Sequence, residues 1–440
     1  MSELKLSVIT KDSSPGWWQK IALGLLLLSA FQSLGRSYLL ITLQFYEPFV
    51  YLGLLIFLFF YFADKSIKRI PFNGLEIFVI FLIVFIPLQS AIVSNIYWGQ
   101  PILYGYLPMR AWLYSVTALV FFYQLKTRRI TLYGISDILL LIAWVQFAIY
   151  IGVQLIFTPN NPDVSYQECN DSKGGCFYAF DMLFISFALL FYFFKFFKTN
   201  KLKYLLYAIL FFGYIFFFYQ KRAMIVTLVG TIGLYFLNNV SLKKKLVYIA
   251  GFIFLMTIGV LILYLVKPQI ISNVITSYGN IIAVFSGEKV KEASAASRIK
   301  QTIIVGLFFA KNPSSIIFGN GRWSTQWEHS PQQMFGRFFP SEVGILGSLL
   351  TYGLIGVIVV QFEFILSYLW IRRVKKYKSD LLFQTCKYYI IYYWFKSLPT
   401  GGSYTEPGLG APFVFITMLF FFYFIEKNPQ LKYSVGNDTT

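Results

Sequence analysis

Residues 51–63 read Tyr-Leu-Gly-Leu-Leu-Ile-Phe-Leu-Phe-Phe-Tyr-Phe-Ala, with no charge anywhere in the run. Residues 413–425, Phe-Val-Phe-Ile-Thr-Met-Leu-Phe-Phe-Phe-Tyr-Phe-Ile, repeat the pattern near the other end of the chain. Such a stretch has no polar face to turn toward water. A bilayer's hydrocarbon core, about 30 Å thick, is crossed by roughly 20 mostly apolar helical residues, and this chain offers many runs of that kind. Across all 440 residues, 57% are hydrophobic, 20% aromatic and only 13% charged, against about 25% charged in a soluble domain. A soluble enzyme, a disordered tail, a disulfide-rich toxin and a collagen-like fibre are excluded. An outer-membrane barrel is excluded too, because its strands alternate apolar and polar residues. The composition predicts an all-α, polytopic membrane protein.

Apolar runs between charges predict about twelve transmembrane helices, at 19–35, 44–63, 74–96, 108–125, 134–157, 178–197, 203–220, 222–239, 246–266, 343–370, 380–397 and 410–426. The organisation is then an N-terminal tail (1–18), spans one to nine (19–266), a long and partly helical loop (267–342), spans ten to twelve (343–426) and a C-terminal tail (427–440). Residues 1–18 lack a cleavable signal pattern. Eighteen of the 38 Lys and Arg fall in five short dense clusters: Lys65, Lys68, Arg69; Lys126, Arg128, Arg129; Lys195 to Lys203; Lys243 to Lys245; and Arg372 to Lys378. Clusters of this kind mark cytoplasmic loops, which places both termini in the cytoplasm and the long loop on the opposite, extracytoplasmic side.

The net charge of +19 would point to nucleic acid in a soluble protein. Here no nucleic-acid motif accompanies it, and none is expected as a partner. Basic residues left on the outer side include Arg110, Lys221, Arg222, Arg298, Arg322 and Arg337. One alone reads as snorkelling to the interface. Together they predict an electropositive outer face.

Loops as long as 267–342 are uncommon without a function. Helical spacing appears over 270–285 and again over 293–310, where Ile299, Ile303, Leu307 and Ala310 form an apolar stripe. Asn312-Pro313 ends the second helix, since the residue before proline avoids helical geometry. Phe318-Gly319-Asn320-Gly321 follows as a turn, then Arg322, Trp323, Trp327, Glu328 and His329, the chain's one histidine. A lone histidine with no cysteine nearby cannot make a zinc site, which takes three or four protein ligands. In the smaller outer loop, Cys169 and Cys176 flank Gly174-Gly175 and read as a structural disulfide in an oxidising compartment. Cys386, inside a span, reads as a plain buried residue.

These residues resemble the bacterial O-antigen polymerase and O-antigen ligase superfamily. Lys221-Arg222-Ala223 resembles the family's arginine between two helices. Ser297-Arg298 opens a loop helix that precedes Asn-Pro and Gly319-Asn320-Gly321. His329 follows that turn, with Ser330-Pro331 where the family usually has asparagine. Glu342-Val-Gly344-Ile-Leu-Gly347 resembles the Glu-x-Gly-x-x-Gly that leads into the next span. The resemblance covers roughly residues 205–370.

It implies a metal-independent, inverting glycosyltransferase with no cofactor, acting on a glycan carried by undecaprenyl pyrophosphate on the periplasmic side of a bacterial inner membrane. A polysaccharide chain-length regulator would be a further partner. The residues suit that chemistry, because the leaving pyrophosphate gains charge in the transition state and arginine binds such an anion with two parallel hydrogen bonds. Arg222 and Arg298 are the expected pyrophosphate ligands, with Arg110, Lys221, Arg322 and Arg337 in support. His329, Glu342 or Glu328 would take the proton of the attacking sugar hydroxyl. Glu342 reads equally as a cap near the start of span ten. The aromatic-rich chain resembles the polymerase branch more than the ligase branch, which would transfer the glycan to lipid A-core. A flippase for lipid-linked glycans is the reading from another class, although no two-fold repeat is visible. Among acids near the spans, Glu76 falls at a span end, and Glu363 reads as interhelical pairing.

Overall fold

The computed structural model describes residues 17–30, 47–156, 167–170, 175–178, 182–219, 222–240, 257–258, 260–261, 264–265, 293–324, 327–329, 343–400 and 411–428. The helices are α1 (Trp17–Ala30), α2 (Glu47–Ile67), α3 (Gly74–Trp98), α4 (Ile102–Tyr106), α5 (Thr117–Lys126), α6 (Leu132–Ile156), α7 (Leu183–Thr199), α8 (Leu202–Tyr214), α9 (Arg222–Asn239), α10 (Ala293–Lys311), α11 (Ser314–Phe318), α12 (Ile345–Arg373), α13 (Leu381–Thr400) and α14 (Ala411–Lys427). A 3₁₀ segment, Leu107–Val116, joins α4 to α5, and a π turn, Ile215–Tyr219, follows α8. One hairpin, β1 (Gln167–Asn170) with β2 (Gly175–Tyr178), interrupts the helices.

Among the described residues five helical stretches are long and apolar enough to cross a membrane: Pro48–Ile67, Gly74–Trp98, Leu132–Gly152, Leu202–Tyr219 and Ile345–Arg373. The expected span at 246–266 lies largely outside the described residues. On α2, Leu52, Leu55, Ile56, Phe59 and Phe60 are all exposed, a continuous apolar surface of the kind a bilayer covers.

The chain forms two compact units. The first contains residues 39–142 and 301–440 and the second residues 143–300. Within the first, α14 lies antiparallel to α13, with Phe422 against Phe383 and Phe415 against Tyr389. It runs parallel to α5, with Phe424 on Phe122 and Thr417 Oγ1 donating to the Ala118 carbonyl. α2 is parallel to the 3₁₀–α5 stretch, pairing Tyr51 with Tyr114 and Tyr61 with Tyr123. The Glu426 carboxylate accepts from the backbone amides of Lys375 and Lys376 at 2.9 and 3.1 Å. These packings bring the basic segments after α2, α5, α12 and α14 to one end of the unit. The second unit is cemented by aromatic rings: Trp144 on Tyr207 and Phe211, and Phe194 stacked on Tyr235 at 3.9 Å.

Two local readings need correction. On α10 the expected stripe is not the buried one: Ile303 and Leu307 are exposed, whereas Val305 and Phe309 pack with Leu350 over Phe308, Trp323 and Leu346. Apolar residues surround this helix, so spacing alone could not choose its inner face. Nor is the tenth span continuous, because Gly353 has φ 65° and ψ −178° inside α12. A helix of 29 residues would be about 43 Å long, more than a bilayer core needs.

Candidate functional site

The break at Gly353 deprives the preceding turn of its usual hydrogen-bond donors, and in a membrane such backbone groups must be satisfied within the protein. Three neighbours do this. Asn320 N donates to Leu350 O at 2.9 Å and Gly321 N to Thr351 O at 2.9 Å. Gln89 Nε2, from α3, donates to Tyr352 O at 2.6 Å and to Phe318 O at 3.1 Å. Left open, each carbonyl would cost about 1–3 kcal/mol. The turn Phe318–Gly321 fits because Gly319 and Gly321 have φ of +77° and +72°, a region side chains avoid. A Cβ on Gly319 would meet the Thr351 oxygen and the Gly353 nitrogen at 2.5 Å.

The same turn is fastened to the far end of α3. That helix begins with a capping box, Asn73 Oδ1 accepting from Glu76 N at 3.0 Å and Glu76 Oε2 from Asn73 N at 2.7 Å. It ends at Gly99, in the left-handed region at φ 70°. Beyond the cap, Gln100 turns inward and is fully buried. Its Nε2 donates to Arg322 O at 3.1 Å and its Oε1 accepts from Ser324 N at 3.0 Å. Arg322 N donates to Ser90 Oγ at 2.8 Å. Both main-chain groups of Arg322 are therefore held by α3 and by Gln100, two residues beyond its end, and its side chain is part-exposed. Trp323 packs edge-on to Trp98 at 5.7 Å, and Trp98 stacks on Phe308.

Tyr352, fully buried, links this junction to the 3₁₀ segment. Its hydroxyl is 3.8 Å from Met109 Sδ, and the Arg322 guanidinium is near enough to act on it electrostatically. The residue after Met109 is Arg110, whose exposed side chain donates from Nη1 to Leu107 O at 3.3 Å. Arg322 therefore acts on Tyr352 directly and Arg110 adjoins, in sequence, the methionine that touches it, both at the end of the unit opposite its basic turns. His329 is exposed and lies edge-on to Trp327 at 5.9 Å, and Trp327 N reaches back to Ser324 O.

Arg222 opens α9 immediately beyond the π turn, a backbone irregularity frequent at functional sites, and β2 packs against that turn. Arg298 lies within α10. Both belong to the second unit, and their side chains lie outside the described part of the structure. Lys221, Arg337 and Glu342 lie outside the described residues. The hairpin register sets Cys169 opposite Cys176. Cys386 is buried beside Met418, as its place in a span predicts. Glu363 is buried but pairs with no cation among the described residues, so the interhelical ion pair expected there is absent from them. Among the described residues no group of three His, Cys, Asp or Glu is placed to hold a metal ion.

Reading motifs missed Gln89, Gln100 and Tyr352. Gln100 follows the Trp98-Gly99 helix end, where a buried amide leaves no pattern. No protein-family model, no curated protein and no solved structure matches this chain.

Proposed function

We propose that the protein is a membrane glycosyltransferase of the O-antigen polymerase kind. It would move a glycan from undecaprenyl pyrophosphate to a sugar hydroxyl of a lipid-linked repeat unit, on the periplasmic side of a bacterial inner membrane. The observation that supports this most is the clamp on Arg322. Its amide and carbonyl are both bonded to buried partners, so its guanidinium leaves a rigid frame at the end of the unit remote from the orienting charges. Charge fixed in advance where a leaving group becomes anionic is often the largest catalytic contribution.

In this reading the acceptor oxygen attacks C1, the C1–O bond to pyrophosphate breaks, and the leaving group departs with the electron pair. Arg322, supported by Arg110, stabilises the charge on the departing oxygen. His329 accepts the hydroxyl proton. Arg222 and Arg298 keep the pyrophosphate role that the family resemblance implies, each to be tested by its own substitution.

Deleting the gene and resolving the surface glycan on a gel tests the reading. A polymerase loss leaves core bearing a single repeat unit, whereas a ligase loss leaves bare core with polymer retained on the lipid carrier. An unchanged ladder would defeat both assignments.

A further inference from the structure

The chain from Ser314 to Ser324 belongs to the long loop expected outside the bilayer, yet its partners on α3 lie at very different heights. The Tyr97 hydroxyl, near the outer end of that helix, donates to Ser314 Oγ at 2.7 Å. Four residues on, the Phe318 carbonyl accepts from Gln89 Nε2 at 3.1 Å. A Cβ on Gly321 would meet the Ser90 carbonyl and Ser94, and by Arg322 and Ser324 the chain is back at Gln100. It descends beside α3 and climbs out again.

The depth follows from helix geometry. At about 1.5 Å per residue, Gln89 is about 22 Å from Gly74 and about 13 Å short of Trp98. A hydrocarbon core is about 30 Å thick, so Gln89 lies below its outer edge whether the core begins at Gly74 or is centred on the helix. The other flanking helix gives a matching level. Gly353, which the turn meets, stands about 30 Å along α12 from the exposed Arg373, no farther than the core is thick.

Two properties suit that level better than water. The main chain is closed, because the amides of Gly319, Asn320, Gly321 and Arg322 donate to Ser315 O, Leu350 O, Thr351 O and Ser90 Oγ. A turn in water has no need of this, whereas irregular backbone at membrane depth is tolerated only where the protein satisfies it. The outward side chains are apolar. Ile316, Ile317 and Phe318, three in a row, are 36%, 47% and 48% exposed. Ile92 and Ile96 of α3, between the two contact levels, are exposed as well, and so are Leu354 and Ile355 just past the break. The segment therefore continues the surface that a bilayer covers on α3 and α12.

We propose that residues 314–321 form a re-entrant element whose Ile317 and Phe318 are covered by acyl chains of the outer leaflet. The proposal rests on α3 and α12 crossing a bilayer and is independent of the reaction proposed above.

The test places a nitroxide on one cysteine at a time, at Ile317→Cys, Phe318→Cys, Phe59→Cys or Glu328→Cys. Each is made in the full chain with its three native cysteines replaced, and reconstituted in phospholipid nanodiscs. Collisions with oxygen, which concentrates in lipid, are compared with collisions with a water-soluble nickel chelate. Phe59 lies on the exposed face of α2, and Glu328 is exposed beyond the dip. The oxygen-to-nickel ratio at Ile317 and Phe318 should exceed that at Glu328 several-fold and approach that at Phe59. A ratio equal to that at Glu328 would put the segment in water and overturn the proposal. Low collision rates with both reagents would overturn it too, by showing that protein covers the segment. If Phe59 also reads as aqueous, the bilayer crossing fails and the proposal falls with it, whereas an unchanged glycan ladder on gene deletion strikes the proposed reaction alone.

Discussion

Gly319 and Gly353 meet main chain to main chain, so that a Cβ on either would strike the other's amide nitrogen. Both also have positive φ. One contact thereby joins a broken membrane-length helix to the turn that presents Arg322. Alanine at either position combines backbone strain with a collision that no side-chain rotation relieves. We expect Gly319→Ala or Gly353→Ala to lower stability by about 2–4 kcal/mol. Gly306, with open space around its Cβ position inside α10, should instead gain about 0.5–1 kcal/mol on substitution by alanine. Thermal unfolding in detergent separates the cases, and an unchanged midpoint for Gly319→Ala would remove the junction's structural importance.

Gln100 acts on Arg322 from beneath. Leucine there would leave the Arg322 carbonyl and the Ser324 amide unpaired, at about 1–3 kcal/mol each. The Arg322 side chain would then lose its fixed origin. Glycan chain length should collapse in Gln100→Leu at equal protein level. Gln100→Leu combined with Arg322→Ala should be no worse in activity than Arg322→Ala, because residues acting through one another are not additive. Additive losses of activity would mean that Gln100 works independently.

Arg322→Ala and His329→Ala should each abolish long-chain glycan while membrane insertion persists. Arg322→Lys should recover little, since an ammonium cannot form the parallel pair of bonds a guanidinium makes to phosphate oxygens. Arg298→Ala and Arg222→Ala carry the same expectation from the family resemblance. Full-length ladders in Arg322→Ala would discard the anion role argued for it.

How far the sequence could be read depends on what each residue answers to. Helix positions such as Gly74–Trp98 were legible because a bilayer imposes both length and composition. The end of α10 at Lys311 was legible from Asn312-Pro313, a local steric rule. The break at Gly353 was not, since a glycine within an apolar run ordinarily sits in an unbroken helix. Its reason lies more than thirty residues away, in the donors that Asn320 and Gly321 supply. The inner face of α10 was illegible for a related reason: Ile303 and Val305 are chemically alike, and only the neighbours decide which one is covered.

Cys169 and Cys176 occupy directly opposed positions in the hairpin. Opposed residues of an antiparallel pair have Cα atoms about 4.5–5.5 Å apart, within the range a disulfide spans. Protein from an oxidising compartment should therefore show two fewer alkylatable thiols than after reduction, with Cys386 the one that reacts upon unfolding. Replacing both cysteines by serine should loosen the hairpin beside the π turn and raise protease cleavage there. Two thiols that label without reduction would rule the cross-link out.

Lys65 and Glu76 form a buried ion pair near the basic end of the unit, with the Tyr61 hydroxyl and the Asn73 amide also donating to the carboxylate. The lysine donates in addition to Pro71 O at 3.1 Å and lies over the Phe72 ring at 4.9 Å. Removing one member strands the other charge where water cannot reach it, at about 3–5 kcal/mol. Replacing both with neutral groups of similar shape is often nearly neutral. Lys65→Met should thus be severely destabilising, whereas Lys65→Met with Glu76→Gln should return to within about 1 kcal/mol of the wild type. Glutamine can keep its one oxygen toward the Asn73 amide and donate from its NH2 to the Tyr61 hydroxyl oxygen, so the start of α3 stays capped. Denaturation of the two single variants and the double one gives the coupling directly. If the two losses simply add, the pair is not the closed unit its geometry describes, and the turn between α2 and α3 must be held by its backbone bonds alone.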